Sequence, residues 1–151
     1  MEFGEYITGF TDGEGSFSVS FSRRKKMKTG LEVRPSFSIS QHQRNLEILK
    51  KIRGYFQVGG IRYSKSDHNY KYEVRSIKDL TDVIIPHFQK YPLKTSKKRD
   101  FKLFEKISKL IHSNHHLSSE NIMEIIDMAY MMNKSGKRKY AKKELLKFVT
   151  R

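Results

Sequence analysis

Cysteine is absent from this 151-residue chain, which excludes disulfides and thiolate metal sites without deciding the compartment. No apolar run is long enough to span a bilayer, and the first residues lack a basic-then-apolar signal pattern. A soluble, non-secreted protein with no membrane partner is expected. Acid is scarce as well: 16 Asp and Glu stand against 31 Lys and Arg, a net charge of +15. That imbalance favours a polyanionic partner, with nucleic acid ahead of a membrane surface. The length suits one ordinary domain with room for a single core, and no convincing internal repeat is visible.

What is present alternates between helical and strand periods. Glu2 to Asp12 reads as a helix with Phe3, Ile7 and Phe10 on one side. Ser16 to Arg24 alternates, with Phe17, Val19 and Phe21 one way and Ser16, Ser18, Ser20, Ser22 and Arg24 the other, the mark of a half-buried strand. After a basic turn, 25–30, a second strand runs from Leu31 to Gln41 with Val33, Phe37 and Ile39 inward. Arg44 to Phe56 repeats at helical spacing and stops at Gly59-Gly60. A second hairpin, 61–64 with 69–74, turns Ile61, Tyr63, Tyr70, Tyr72 and Val74 inward and Arg62, Ser64, Lys71, Glu73 and Arg75 outward. Leu80, Val83, Ile84 and Phe88 mark a helix ending before Tyr91-Pro92, and Phe101, Phe104, Ile107 and Ile111 mark another. Ser118 or Ser119 caps a last long helix with Ile122, Ile125, Ile126 and Ala129 buried. The order α-β-β-α-β-β-α followed by more helix predicts an α+β fold in one domain, 1–151. Its segment 134–151 forms a basic C-terminal extension that is solvated or touches DNA.

The segment Ile7-Thr8-Gly9-Phe10-Thr11-Asp12-Gly13-Glu14-Gly15 is the most informative stretch. Gly9 and Gly13, one turn apart, leave a helix face without side chains, so a second helix can approach closely despite a glycine penalty of about 1 kcal/mol each. Ile7, Gly9, Phe10 and Gly13 are the expected contacts of such a helix pair. Glu14 then sits at the C-terminal end of the helix, where the macrodipole already disfavours its charge. A second Glu14 from a partner would aggravate this unless a divalent cation neutralised both. Asp12 is expected to be structural, hydrogen bonding around the helix end.

These residues resemble the motif of the LAGLIDADG homing endonucleases, which aligns without gaps from Ile7 to Gly15. The likeness extends to the strand-like residues after it, to Tyr91-Pro92-Leu93-Lys94 before a long helix, and to the helical part from Asp100 to Asn133. It implies an antiparallel β saddle that binds DNA, a homodimer because each chain carries one motif, and a long pseudo-palindromic target cut to short 3′ overhangs. By the same resemblance Glu14 and the Gly13 carbonyl hold Mg²⁺, with Mn²⁺ able to substitute, Lys94 lies near the attacking water or scissile phosphate, and Gln41 orients solvent. The activity implied is a Mg-dependent endodeoxyribonuclease of the intron-homing type. It would act inside the cell, in a mitochondrion or chloroplast if intron-encoded and in the cytoplasm otherwise.

A two-stranded ribbon fits the major groove, and alternate residues of one face then meet the bases. Arg24, Arg34, Arg62 and Arg75 can read guanine, Ser18, Ser20, Ser36, Ser38 and Ser40 are less selective, and Lys97, Lys98 and Arg99 suit phosphates. Plainer readings stand beside each of these. Glu14 can be a solvated acid closing a turn, Lys94 one more surface lysine, Gln41 a cap on the loop after its strand, and the sheet face merely wet. Asn45 occupies the position where the resemblance places a further basic residue, and Arg44 is one step away. His112, His115 and His116 allow either a zinc site, with 112 and 116 on one helical face, or a polar helix end. At the level of function, an RNA-binding maturase acting on its host intron and a non-catalytic DNA-binding regulator share this motif. Half of a two-motif monomer is a further alternative, which the initial methionine and the terminal helix weigh against.

Overall fold

The computed structural model describes residues 1–133 and 138–149. Four strands, β1 (Gly15–Arg23), β2 (Leu31–His42), β3 (Gly60–Ser64) and β4 (Asn69–Val74), form one sheet in the order β1-β2-β4-β3. The chain divides into two compact units, one of Met1–Phe17 with Ser36–Lys98 and one of Ser18–Pro35 with Arg99–Arg151.

The first unit begins with α1 (Phe3–Glu14), whose buried stripe is Gly4, Ile7, Thr8 and Thr11. That spacing is a regular helical face, and it corrects the expected one: Phe3 and Tyr6 are 37% and 40% exposed, and Phe10 is half-buried. Antiparallel pairing of β2 with β4 sets Phe37 opposite Val74 and Ile39 opposite Tyr72, so one sheet face is wholly apolar there. Phe17, Phe37 and Phe88 pack with ring centroids 5.2 to 5.5 Å apart at the centre of this core. α2 (Leu46–Phe56) follows a 3₁₀ turn at Gln43–Asn45 and ends on Gln57 in the left-handed region. Gly59, at φ +84°, is required by its backbone and by space, since a β-carbon there would lie 2.6 Å from the Glu73 carbonyl oxygen.

β3 is an edge strand, and here the expected inward set thins out. Tyr63 is 39% exposed and its ring packs on Tyr70 at 4.8 Å instead of entering the core, while its hydroxyl meets His68 Nδ1. The helix expected around Leu80 to Phe88 forms in three pieces, α3 (Ile77–Asp79), a π turn (Leu80–Ile84) and α4 (Ile85–Lys90). Pro86 explains the widened turn, because it has no N–H to return and its ring crowds the preceding turn; Ile85 donates five residues back to Leu80. The extra residue brings Ile84, Ile85, His87 and Phe88 inward and leaves Val83 half-buried.

The second unit holds the tip of the β1–β2 hairpin, closed by the Arg24 N–H on the Gly30 carbonyl at 2.8 Å. Most of α5 (Lys97–His112) belongs to it, with α6 (Ser119–Tyr130) and α7 (Lys142–Phe148). Val19, Phe101, Phe104, Ile107, Ile122, Ile125, Ile126, Ala129 and Leu145 form its core. Ser118 caps α6 by accepting from the Asn121 N–H at 3.1 Å. The basic extension makes contacts of its own where it is described. Arg138 lies 4.4 Å over the Tyr130 ring and donates to the carbonyls of Val19 and Ala129, and Leu145 of α7 is fully buried. Residues 134–137, 150 and 151 lie outside the described residues. No described helix is long and apolar enough to cross a membrane.

Candidate active site and nucleic-acid face

α1 ends at Glu14, and its last carbonyls need donors from outside the helix. The Gly15 N–H takes the Thr11 oxygen, and the Lys97 ammonium donates to Thr11 O at 2.9 Å and Asp12 O at 3.3 Å. Lys97, expected on a DNA phosphate, here caps the negative end of α1 through the carbonyls beside Glu14. Lys98, the next residue, is exposed.

Asp12 performs the complementary link. Its Oδ2 accepts from the Lys94 N–H at 3.0 Å, and its Oδ1 accepts from the Thr95 N–H at 3.1 Å and the Thr95 hydroxyl at 2.7 Å. Partial burial pushes this carboxyl up. The Thr95 hydroxyl, the two backbone donors and the Lys97 charge together outweigh that and hold it below the ordinary carboxylate range. The consequence is geometric: the segment carrying Lys94 is tied to the helix turn that carries Glu14. The exposed Lys94 side chain and Gly9, Asp12, Tyr91 and Pro92 line a cleft of about 430 Å³.

A buried relay fixes the other side of that segment. Thr8 Oγ1 donates to the Tyr91 carbonyl at 2.8 Å and so must accept from His87 Nε2 at 3.2 Å, which leaves Nδ1 to accept from the Tyr55 hydroxyl at 3.1 Å. His87 is thereby neutral, and burial, aided by the Lys90 charge, lowers its pKa to about 4. Gly4 packs against the Tyr91 ring, since a β-carbon there would meet it at 2.5 Å.

Glu14 and Gly13 are exposed, and the donors they offer, a carboxylate and a last-turn carbonyl, are the hard oxygens that Mg²⁺ or Ca²⁺ takes. They fit such an ion but do not complete its shell. Among the described residues no three His, Cys, Asp or Glu side chains are placed to hold a metal. The zinc alternative loses its geometry too: α5 stops at His112, Asn114 is left-handed at φ 62°, and His116 lies on a separate 3₁₀ turn. Gly9 and Gly13 face open space, with no atom within 4 Å of a β-carbon built on either. Ile7, expected at the helix pair, is 0% exposed within its own core. Beside the bare glycines run the stacked rings of Phe3, Tyr6 and Phe10, at 5.7 and 5.9 Å.

Gln41 shares the inward face of β2 with Phe37 and Ile39, opposite Tyr70. Its amide oxygen accepts from Asn45 Nδ2 at 3.1 Å and its nitrogen donates to the Ser40 carbonyl at 2.9 Å, so Asn45 sets its orientation where the resemblance placed a base. On the opposite face of the same unit, pairing lines up Ser40, Lys71 and Arg62 in one row and Ser38, Glu73 and Gly60 in the next. Two cations directly opposite one another cost stability in an isolated sheet, which an anionic ligand would reverse. Arg62 and Arg75 both lean toward Glu73, at 3.6 and 3.9 Å. In the hairpin tip Ser20 donates to the Arg34 carbonyl, and Arg24 and Arg34 both reach Glu32, at 2.7 and 3.2 Å. Thr95 and Glu32 are contacts of the candidate site residues that the sequence does not single out; nothing local to either one marks the partner it meets.

The family model described as LAGLIDADG endonuclease matches residues 7–108. The crystal structure of the homing endonuclease I-TnaI is 34% identical and covers 96% of this chain and 94% of its own, with a TM-score of 0.84. I-SmaMI bound to an uncleaved DNA target in the presence of calcium ions is 32% identical, covers 94% of this chain and 47% of its own, and gives 0.86. Probable intron-encoded endonuclease 2 of Neurospora crassa is 34% identical over 85% of this chain. This chain spans between 24% and 47% of the length of that protein and two similar curated relatives. Motif, sheet, helix-end site and these likenesses agree, and the chain belongs to the LAGLIDADG endonuclease family.

Proposed function

We propose that this chain is a site-specific homing endonuclease that cuts both strands of a long pseudo-palindromic DNA target as a homodimer. The carrying observation is the convergence on one helix end of Glu14, the Lys94 segment tied there by Asp12, and an open glycine face. Glu14 and the Gly13 carbonyl would hold Mg²⁺, or Mn²⁺ in its place. When bound, that ion neutralises charge on the scissile phosphate and acidifies water. The Lys94 ammonium, free to swing on an anchored backbone, offsets charge developing on the phosphate. The Gln41 amide, held by Asn45, orients solvent. Two α1 helices packed through Gly9 and Gly13 would place two copies of Glu14 together and give the two-fold symmetry that a palindromic site matches. Serines, Lys71 and the arginines of the polar sheet face meet the major groove, and the cuts leave short 3′ overhangs. The intron-encoded relatives support an origin in an intron, with action in an organelle if that intron is organellar.

The test is Glu14→Gln, which keeps shape and removes the charge that retains the cation. Cleavage of a duplex selected from a randomised library should fall by orders of magnitude in Mg²⁺ while duplex binding survives. Undiminished cutting would show that another group holds the metal.

A further inference from the structure

The outward face of the sheet is expected to be basic, yet each hairpin places one acid among its arginines. In the hairpin tip a single carboxylate oxygen of Glu32 takes Arg24 Nε at 2.7 Å and an Arg34 terminal nitrogen at 3.2 Å. In the other hairpin Glu73 faces Arg62 and Arg75 at 3.6 and 3.9 Å, beyond hydrogen-bond length. Stability does not account for Glu32. Exposed pairs between long side chains are worth little, and these arginine side chains are 54% and 38% exposed. An acid on a face that meets phosphates also works against binding.

Orientation does account for it. A guanidinium reads guanine only when its planar fork meets O6 and N7 together, and a free arginine must give up several rotatable bonds to reach that pose. A carboxylate that already holds Nε of one fork and an end nitrogen of the other removes much of that freedom before DNA arrives. It also withdraws both charges from indiscriminate use on phosphates. We propose that Glu32 is a specificity-determining positioning residue, which holds Arg24 and Arg34 for base readout and suppresses their use as non-specific phosphate ligands. Glu73, whose ion pairs are longer, does the same more weakly. This rests on the DNA-cleaving function proposed above.

Selection from a randomised duplex library with the full-length chain, followed by competition between the enriched and a random duplex, tests it. Glu32→Gln should bind the random duplex more tightly than the wild type and lose roughly ten-fold in preference at the base pairs that Arg24→Ala and Arg34→Ala each affect. Adding Glu32→Gln to Arg34→Ala should cost nothing further at the Arg34 base pair, because the acid acts there through that arginine. Glu73→Gln should shift preference less than Glu32→Gln. Thermal unfolding of Glu32→Gln should match the wild type, so a loss of fold cannot imitate the result. A wild type that enriches a sequence while Glu32→Gln keeps its full preference overturns the positioning role alone. A wild type that enriches no sequence overturns the underlying DNA reading and this role with it.

Discussion

Asp12 accepts three hydrogen bonds from Lys94 and Thr95, which tie the Lys94 backbone directly to α1. Asp12→Ala strands two backbone donors, which should cost about 2 kcal/mol in urea unfolding and slow single-turnover cleavage at least about ten-fold as Lys94 loses its anchor. Cleavage at the wild-type rate would mean that the segment holds itself. His87 makes a different prediction. Its folded pKa of about 4 lies below the unfolded value near 6.5, so between those pH values the unfolded chain binds a proton that the folded chain refuses. The stability it contributes is therefore whole above pH 6.5 and is lost as pH falls toward 4, by about 3 kcal/mol in total. His87→Gln can both donate to Thr8 and accept from Tyr55 without titrating, and its melting temperature should fall less over that window.

At the scale of the element, α1 has a buried side that secures it and an open side that a lone protomer does not use. Gly9→Leu therefore separates folding from assembly. The isolated protomer should keep or gain stability, by up to about 1 kcal/mol, because a glycine is replaced in open helical space. The same change should block close approach of a second α1, giving a monomer in sedimentation that cannot cut. A wild type that cleaves both strands as a monomer would reject the helix pairing. The first turn of α5 divides its lysines in the same manner. Lys97→Met should lower the melting temperature by removing the cap on Thr11 and Asp12, at a cost of about 1 kcal/mol. Lys98→Ala should leave stability alone and weaken binding to every duplex equally.

For the whole molecule, a charge of +15 would make phosphate contact the main source of affinity for the proposed DNA target. If about six phosphates are neutralised, the logarithm of affinity should fall with a slope near −5 per decade of salt in a titration by fluorescence anisotropy. A flat response would leave nucleic acid without its main attraction. The alternation of serine with aromatic residues, the glycine pair and the single acid after it were legible because they are local: side-chain direction in a strand has period two, and a helix turn has 3.6 residues. Those periods determined the strand pairs, the polar sheet face and the position of Glu14 from the residues alone. Tertiary structure decided everything that depends on a residue distant in the chain. Phe3 faces outward and Ile7 inward because packing selected the stripe through Gly4, Thr8 and Thr11 over an equally apolar one. Lys97 reads as one more phosphate ligand until α5 starts beside the end of α1 and turns it into a cap, and Arg138 reads as tail charge until the Val19 and Ala129 carbonyls and the Tyr130 ring surround it. A charge gives no local sign of whether its partner will be solvent, DNA or a carbonyl, since that choice is made only when the chain closes on itself.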